Sequence, residues 1–404
     1  MDMSVSPFRR IPIGVLLLLL VLAPFQAVAL RAENEQAGYT IDLPVGWYMV
    51  ADSEPLHAGF FSPEADVSLQ IIAMPQSTAP SGEALAQYML SQVNGTGEVA
   101  PYEYAGEETA LTDLTFSSGG LDVHGYMVTT EGPWYDIVIL AFCHVDSWNA
   151  MQDEMLSAID SFSLVGAQLE PGPISQLFYP AAADITGHSG ELMLGRFPVR
   201  FDNDPDLLDA TSITIEREAR LLAKYGTQSR AVRNEAWQRY YRMIYRDNYS
   251  RLRPLADNLM SMAVRGLRID PETDYPAVAL EWLQGFDYDR AGGLSDFEPP
   301  VSCLISHSGD CDSLGIIYAI LLNTYEIDTI LMVSDVYSHA MAAVDTEGAG
   351  ARFPFEGRNW LVAEFTADVA LGQIASTMAD PAGWIGVSFD FDTDDAFPPL
   401  FPGR

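Results

Sequence analysis

Three side chains in the C-terminal half of the chain have the types and the order of a thiol nucleophile and the groups that activate it. Cys311 stands in a polar turn directly before an apolar helical stretch that begins at Leu314. His339 and Glu364 follow in two stretches with the composition of strands. A cysteine at a helix start, a histidine base and a carboxylate that orients the histidine can together attack a carbonyl carbon. The sequence therefore predicts Cys311, His339 and Glu364 as catalytic residues.

The setting of Cys311 affects the charge of its thiol in two opposite ways. The unpaired backbone N–H groups and the dipole of a helix start favour a thiolate. Asp310 and Asp312 disfavour it, because neighbouring negative charges raise the pKa of a thiol. We therefore expect His339, as an imidazolium, to hold Cys311 as a thiolate.

Glu364 lies in the apolar stretch Leu361–Phe365, and we expect it to bond to His339. A buried carboxylate without a partner is strongly unfavourable, and a histidine on a neighbouring strand is the natural partner. Asp345 is the alternative orienter. It closes its strand directly before Thr346-Glu347-Gly348 and has the features of a turn residue.

The elements that position these residues belong to a chain long enough for two folded domains. Its 404 residues exceed one typical core, and 48% of them are hydrophobic, which is enough to fill two. We predict an α+β module at 36–165, a linker and lead-in at 166–210, and a helical segment plus a second domain at 211–404.

The first 29 residues have the pattern of a signal peptide. Arg9 and Arg10 precede an apolar run at 11–24, and small residues at 27–29 suit cleavage after Ala29. Because the apolar run continues slightly further, an uncleaved membrane anchor is the alternative. The rest of the sequence has no second run of that length. We therefore expect an exported protein, periplasmic or extracellular.

The formal net charge of −35 is unevenly distributed. No Lys or Arg occurs between Ala32 and Gly195, and most of the 21 basic residues lie at 196–268. The acidic blocks would repel phosphate, which argues against nucleic acid as a partner. The arginines at 196–268 alternate with apolar residues at helical spacing. We expect them to pair with the acidic flanks rather than to form a basic surface patch.

The three cysteines leave at least one free thiol in an exported chain. If Cys143 pairs with Cys303, the free thiol is Cys311. If Cys303 pairs with Cys311, the nucleophile is blocked. A fully reduced set is the third alternative, and the sequence leaves all three open.

Residues 36–165 combine strong strand signals at 67–72 and 136–142 with helical periodicity. One helix is predicted to begin after Ser81 as its cap, and a last helix to cover 147–161. His124 and His144 fit ordinary sheet and loop positions.

This module resembles the PsbP-like family of small extracytoplasmic proteins. The resemblance rests on the opening Tyr39-Thr40-Ile41-Asp42-Leu43-Pro44-x-Gly46-Trp47, the central helix, a hairpin sheet and the closing helix that ends in Ile159-Asp160-Ser161-Phe162. It implies an accessory or docking role, with no active site to transfer to this chain.

The region between the module and the candidate site is predicted to be largely helical. A linker signal at Glu170–Pro173 precedes helical periodicity at 211–225 and 230–249. Pro254 is predicted to end or kink the second helix, with a further helix at 255–264. Aromatic residues of the second helix are more typical of core packing than of a ligand site. These residues are Trp237, Tyr240, Tyr241 and Tyr245.

The region around the candidate site resembles the transglutaminase-like superfamily, which is papain-like in fold. Gly309-Asp310-Cys311-Asp312 matches the nucleophile segment of that family, and Ser338-His339-Ala340 its histidine strand. The segment Trp360–Thr366 matches the strand that carries the acid, and Trp282–Tyr288 the helix and aromatic turn before the nucleophile. The resemblance covers about 275–370 and implies a second α+β domain.

The resemblance implies a transamidase, amidase or peptidase that acts on peptide amides through a thioester, without a cofactor. In such a mechanism the backbone N–H groups of the Cys311 turn would stabilise the oxyanion, and Gln284 is the candidate for a second oxyanion donor. Two positions depart from the family pattern. Glu364 stands where the family usually has Asp, and Met341 where an aromatic residue is frequent.

Metal sites are not indicated by the sequence. The run Asp390-x-Asp392-x-Asp394-Asp395 lacks the turn glycine and the distant glutamate of an EF-hand loop, and a solvated tail is the expected state.

The sequence thus predicts an exported α+β protein with a Cys311–His339–Glu364 triad, acting on a peptide or protein substrate in the cell envelope. The alternative is a protein-binding scaffold that keeps the fold without chemistry.

Overall fold

The computed structural model describes residues 30–180, 188–289, 297–389 and 397–402. The predicted signal peptide and the acidic run at 390–395 lie outside the described residues. In the described part, helices and largely antiparallel sheets are both present, which confirms the prediction of an α+β fold. None of the helices described is both long and apolar enough to cross a lipid bilayer.

The N-terminal module is built around one antiparallel sheet. Its elements are β1 (Arg31–Asn34), β2 (Tyr39–Asp42), β3 (Tyr48–Met49), β4 (His57–Phe61), β5 (Val67–Met74), α1 (Gly82–Val93), β6 (Thr96–Tyr104), β7 (Glu107–Ser118), β8 (Leu121–Thr130), β9 (Asp136–His144), a 3-10 turn (Val145–Ser147), α2 (Trp148–Asp160) and β10 (Ser163–Leu164). The seven-stranded sheet has the order β3-β4-β5-β9-β8-β7-β6, and β1, β2 and β10 form a smaller one.

The two helices of the module cover opposite faces of the large sheet. Side chains of a strand alternate between faces, and β9 shows this directly. Ile137 and Ile139 belong to the core under α2, whereas Val138 and Leu140 belong to the core under α1. The predicted cap of α1 is confirmed, because the hydroxyl of Ser81 accepts the N–H of Ala84 at 3.2 Å.

The predicted linker contains regular structure. The elements from 173 to the end of the helical segment are α3 (Pro173–Phe178), β11 (Ser189–Leu194), β12 (Phe197–Asp202), α4 (Pro205–Lys224), α5 (Arg230–Met262) and a π turn (Ala263–Leu267). β11 and β12 form a hairpin, and Leu194, Val199 and Phe201 are buried in the C-terminal core. The hairpin therefore packs with the second domain.

Pro254 does not end a helix, contrary to the prediction of a separate helix at 255–264. α5 continues through it to Met262. Proline removes one backbone hydrogen bond from a helix. Here Pro254 is buried between other buried side chains, including Leu252 and Leu255. The packing of this stretch outweighs the local helix propensity.

The C-terminal domain places one buried helix against a five-stranded sheet. Its elements are α6 (Tyr275–Gln284), β13 (Asp287–Tyr288), α7 (Pro300–Ser306), β14 (Ser308–Gly309), α8 (Cys311–Asn323), β15 (Thr329–Ser334), β16 (His339–Val344), β17 (Arg352–Phe355), β18 (Arg358–Ala363), 3-10 turns (Ser376–Met378 and Pro381–Gly383) and β19 (Ile385–Val387). The sheet order is β17-β18-β16-β15-β19. Gly315 lets α8 approach β15, because a Cβ there would lie 2.5 Å from Leu331 Cδ1.

Buried ion pairs join α4 and α5 to the N-terminal module. Arg242 on α5 binds both carboxylate oxygens of Asp42 on β2, at 2.7 and 3.0 Å. Arg217 on α4 bonds to Asp160 at the end of α2 at 2.7 Å. The predicted pairing of this arginine-rich segment with the acidic flanks is confirmed. Burial alone would raise the pKa of Asp42, but Arg242 outweighs it and the pKa lies below its usual value.

We expect Arg242→Met to lower the free energy of unfolding by about 3–5 kcal/mol, because it leaves the Asp42 carboxylate buried without its ion-pair partner. Arg220→Met is the matched control. Arg220 binds Asp153 in the same two-bond manner, at 2.7 and 2.9 Å, but this pair is partly exposed. Its loss should change stability by less than about 1 kcal/mol. Urea unfolding of both variants checks this, and equal losses would contradict it.

Candidate active site

Cys311 is the first residue of α8, as the polar turn before the apolar stretch predicted. The Asp310 carboxylate caps the helix and accepts the backbone N–H of Ser313 at 2.7 Å. The helix behind Cys311 is buried along almost its whole length. The nucleophile candidate is therefore held by the core of the C-terminal domain.

The sulfur of Cys311 touches the strand that carries the histidine. The backbone N–H of Ala340 donates to Cys311 Sγ at 3.3 Å, and the thiol donates to Asp312 Oδ1 at 3.4 Å. The residue is only 1% exposed. Within the described residues, no hydrogen bond joins Cys311 Sγ to the His339 ring. The backbone contact places the sulfur beside the residue that follows His339.

His339 and Glu364 form a direct pair. His339 begins β16, and its Nε2 lies 2.8 Å from Glu364 Oε2. Glu364 Oε1 accepts two further bonds from Thr366, from the backbone N–H at 2.7 Å and from the hydroxyl at 2.8 Å. The alternative orienter, Asp345, is instead half-exposed and pairs with Arg358. The structure thus brings Glu364 to His339, while the catalytic roles of both stay predictions.

The sequence pattern placed Glu364 inside a strand. In the structure, Glu364 instead follows directly after the last residue of β18. The β16–β18 ladder ends at the pair Ala342–Ala363. Phe365 continues the alternation by packing against Tyr318 of α8, with ring centroids 5.3 Å apart. Glu364 therefore turns to the opposite side, where the histidine lies.

Gln284, at the end of α6, has both amide hydrogens engaged. Its Nε2 donates to the backbone carbonyls of Glu364 at 2.8 Å and of Val369 at 2.9 Å. In this arrangement Gln284 anchors the segment after β18. A role as oxyanion donor would require one of these bonds to open, and it stays a prediction.

A groove opens beside the His339–Glu364 pair. It encloses about 680 Å³, within the usual range for small-ligand sites. Most of its lining is uncharged. The lining includes Tyr337, Ala351, Thr366, Val369, Ile374 and Met378. Histidine and carboxylate are thus accessible from the groove, with the sulfur behind the strand that carries the histidine.

The Cys311 sulfur is a neutral thiol in the resting site, contrary to the thiolate that the sequence predicted. Burial raises the pKa of the Cys311 thiol to about 12, and Asp312 is the second cause. The Ala340 N–H acts in the opposite direction and does not compensate. Near neutral pH the thiol is therefore protonated. The helix start favours a thiolate, but burial and the two aspartates disfavour it more strongly.

The pKa values of two carboxyl groups of the site, Glu364 and Asp310, are shifted in opposite directions. Burial alone would raise the pKa of Glu364, but the bonds from His339 and Thr366 lower it below its usual value. Burial, followed by the charge of Asp312, raises the pKa of Asp310 to about 7. Glu364 is therefore the carboxylate available to orient the histidine ring.

All three cysteines are free, so the fully reduced alternative is the one found. Cys143 lies in the core of the N-terminal module, whereas Cys303 and Cys311 lie in the C-terminal core. The Cys303 thiol donates to the Glu298 carbonyl. Cys311 is thus a thiol and not part of a disulfide.

Residues 30–180, 188–289, 297–389 and 397–402 contain no candidate metal site. His, Cys, Asp and Glu side chains form no group of three or more there that could hold an ion.

Thr366, the last residue of the segment matched to the acid strand, holds Glu364 by a bond that the sequence did not indicate. Sequence reasoning missed two further neighbours of the site. Trp384 lies edge-on to the His339 ring, with centroids 6.2 Å apart. Tyr241 on α5 donates to Asp312 Oδ2 at 2.7 Å. Tyr241 belongs to the aromatic series that was assigned to packing, and the helix periodicity alone carried no signal for a polar contact.

No protein-family model and no curated protein sequence matches this chain. Solved structures similar to it include the cyanobacterial PsbP protein CyanoP of Synechocystis sp. PCC 6803. That similarity has 16% identity, covers 37% of this chain and 99% of CyanoP, and has a TM-score of 0.29. CyanoP is itself a PsbP protein, the family that the N-terminal module was predicted to resemble.

Two further solved structures are similar to this chain. LpqN of Mycobacterium tuberculosis, described as involved in cell envelope biogenesis, is 11% identical over 35% of this chain and 92% of its own, with a TM-score of 0.27. A protein of Bacteroides thetaiotaomicron is 8% identical over 83% of this chain and 89% of its own, with a TM-score of 0.26.

Asp310→Asn should stabilise the protein increasingly as pH rises. The pKa of Asp310 is about 7 in the folded protein and 3.8 in the unfolded chain. The ionised carboxylate therefore destabilises the fold, by an amount that grows as pH rises from 3.8 to 7 and is constant above that. Asparagine keeps a capping oxygen without the charge. The gain in free energy of unfolding should be on the order of 4 kcal/mol at pH 8 and should vanish near pH 3.

Asp204→Asn is the matched control for this measurement. Asp204 caps α4, and the N–H of Asp206 and the side chain of His188 hold its pKa below the usual value. Its charge therefore supports folding above the unfolded pKa, and the variant should lose stability as pH rises. Urea unfolding at pH 3, 5 and 8 compares the two signs. A pH-independent difference for Asp310→Asn would contradict the prediction.

Proposed function

We propose that this protein is a thiol-dependent amidohydrolase of transglutaminase-like type, a peptidase or transamidase that cleaves peptide amides through a thioester. One observation carries the proposal. The His339–Glu364 bond of 2.8 Å pairs an imidazole with a carboxylate, and the backbone N–H of Ala340, the residue after His339, contacts Cys311 Sγ. Such a constellation, rather than the fold, supports a function.

The histidine acts as general base in the first step. Glu364 accepts the Nε2–H of His339, which leaves Nδ1 as the ring nitrogen that can take a proton. As Cys311 Sγ attacks the amide carbonyl carbon, the thiol proton moves to Nδ1 and an S–C bond forms. Because the resting thiol is neutral, proton transfer accompanies the attack.

The second half of the reaction returns the site to its resting state. The imidazolium of His339 gives its proton to the leaving amine, the C–N bond breaks and a thioester remains on Cys311. Water, or an acceptor amine, then attacks the thioester while His339 takes its proton. The acyl group leaves, and the proton returns to the Cys311 sulfur. Backbone N–H groups at the start of α8 stabilise the oxyanion in both steps.

A peptide or protein is the proposed substrate, and the cell envelope the proposed location. The groove beside His339 is lined mainly by uncharged side chains and has room for a few residues of a peptide. The signal-peptide pattern at 1–29 supports export. Nucleic acid is not proposed as a partner, given the net charge of −35.

A non-catalytic scaffold is the second candidate function. It is favoured by the 1% exposure of Cys311 and by the thiol's hydrogen bond to Asp312 in place of a base. In that case the groove binds a partner protein without covalent chemistry.

Acylation by p-nitrophenyl acetate distinguishes the two candidates. We expect an acetyl group on Cys311, detected by peptide mass spectrometry, and a turnover rate that falls by about 10²-fold or more in His339→Ala, because the base is lost. Addition of putrescine separates acyl transfer from hydrolysis. Cys143→Ser, a buried thiol of the other domain, is the control and should keep the wild-type rate.

An acylation rate no higher than that of a free thiol, or one that His339→Ala does not change, would contradict the enzyme proposal and favour the scaffold.

Glu364→Gln tests the orienting carboxylate. The amide cannot stabilise an imidazolium, so we expect the acylation rate to fall by about 10²–10⁴-fold. Asp345→Asn is the matched control, because Asp345 was the alternative orienter and pairs with Arg358 at the surface. Loss of rate in Asp345→Asn with none in Glu364→Gln would reverse the assignment.

A further inference from the structure

The thiol of Cys311 is engaged by a residue outside the proposed triad. It donates to Asp312 Oδ1 at 3.4 Å. The other oxygen of the same carboxylate, Oδ2, accepts the hydroxyl of Tyr241 at 2.7 Å. Tyr241, Asp312 and Cys311 thus form a chain of hydrogen bonds that runs from α5 to the nucleophile and reaches the sulfur from its own helix.

The position of Asp312 is set from a distant part of the sequence. Tyr241 is 4% exposed and lies on α5, directly before Arg242, whose side chain binds Asp42. Burial, followed by the charge of Asp312, raises the pKa of Tyr241 well above its usual value, so the phenol stays a donor. Asp312 is half-buried. The phenol therefore holds its second oxygen and leaves the first directed at the sulfur.

A carboxylate that accepts a hydrogen bond from the neutral thiol stabilises the protonated form. Asp310 adds negative charge from the same helix and acts in the same direction. The opposing contact is the Ala340 N–H, which donates to the sulfur. The titratable groups that interact with the sulfur are Asp310, Asp312 and Tyr241, and His339 directly precedes the residue whose N–H contacts it.

We propose that Asp312, oriented by Tyr241, is a positioning residue that keeps the proton on the Cys311 thiol in the resting protein and directs the sulfur away from premature reaction. During attack the S–H···Oδ1 contact breaks, and the proton passes to His339 Nδ1 as the S–C bond forms. The inference rests on the proposed function, since it assigns a control to the same nucleophile. It adds two residues to the site that neither the triad nor the groove includes.

The pH profile of Cys311 alkylation by iodoacetamide tests this inference, with modification at each cysteine followed by mass spectrometry on the full chain. In Asp312→Asn the midpoint of the profile should fall by at least about one pH unit, which corresponds to about a tenfold faster reaction on the rising limb. Tyr241→Phe should shift the midpoint in the same direction by less, because the carboxylate is retained but no longer held on the sulfur.

Asp335→Asn is the matched control. It removes an equal charge from the exposed turn before His339, and it should leave the midpoint unchanged. Circular dichroism and urea unfolding establish that each variant folds. A wild-type midpoint in Asp312→Asn would overturn the inference, and a wild-type midpoint in Tyr241→Phe would overturn the role of Tyr241.

The test separates this inference from the proposed function, because alkylation reports on the sulfur itself. Shifted midpoints in a protein that p-nitrophenyl acetate does not acylate would contradict the enzyme proposal and uphold the control of the thiol. Acylation that depends on His339, with unshifted midpoints, would do the opposite.

Discussion

The buried pairing of arginines from α4 and α5 with carboxylates of the N-terminal module is the interaction on which the arrangement of this protein depends. Arg242 and Arg217 each place a guanidinium in a nearly dry interface and bind Asp42 and Asp160 there. Breaking such a pair leaves a buried charge, so the interface tolerates one geometry. It fixes α5, and α5 in turn packs along α8, the helix that begins with Cys311.

The candidate site depends on this arrangement at one remove. α8 presents Cys311 at its first turn, and the beginning of β16 brings the Ala340 N–H to the sulfur. The same strand begins with His339, whose ring Glu364 holds from the end of β18. The site therefore has a carboxylate–imidazole pair open to a groove and a thiol kept neutral by burial. Chemistry there requires that the base take the thiol proton during the attack rather than before it.

Much of the secondary structure was readable from local pattern. The helix after Ser81, the strands at 67–72 and 136–142 and the helix start at Cys311 follow from caps and periodicity, and they are found where expected. Pro254 was misleading, because burial of the surrounding residues outweighs the loss of one backbone hydrogen bond. The hairpin at 189–202 was missed, because its short strands are stabilised by packing against α5, which is distant in sequence.

The sequence by itself determined the residue types: a strongly acidic net charge, an arginine-rich segment between acidic flanks, and a cysteine, a histidine and a carboxylate in order along the chain. Tertiary structure alone decided which of these groups meet. It selected Glu364 over Asp345 beside the histidine, left all three cysteines free and placed Tyr241 on Asp312. It also set the protonation state of Cys311. Solvent exclusion and the field of neighbouring charges control a thiol proton, and both arise only when distant segments pack together.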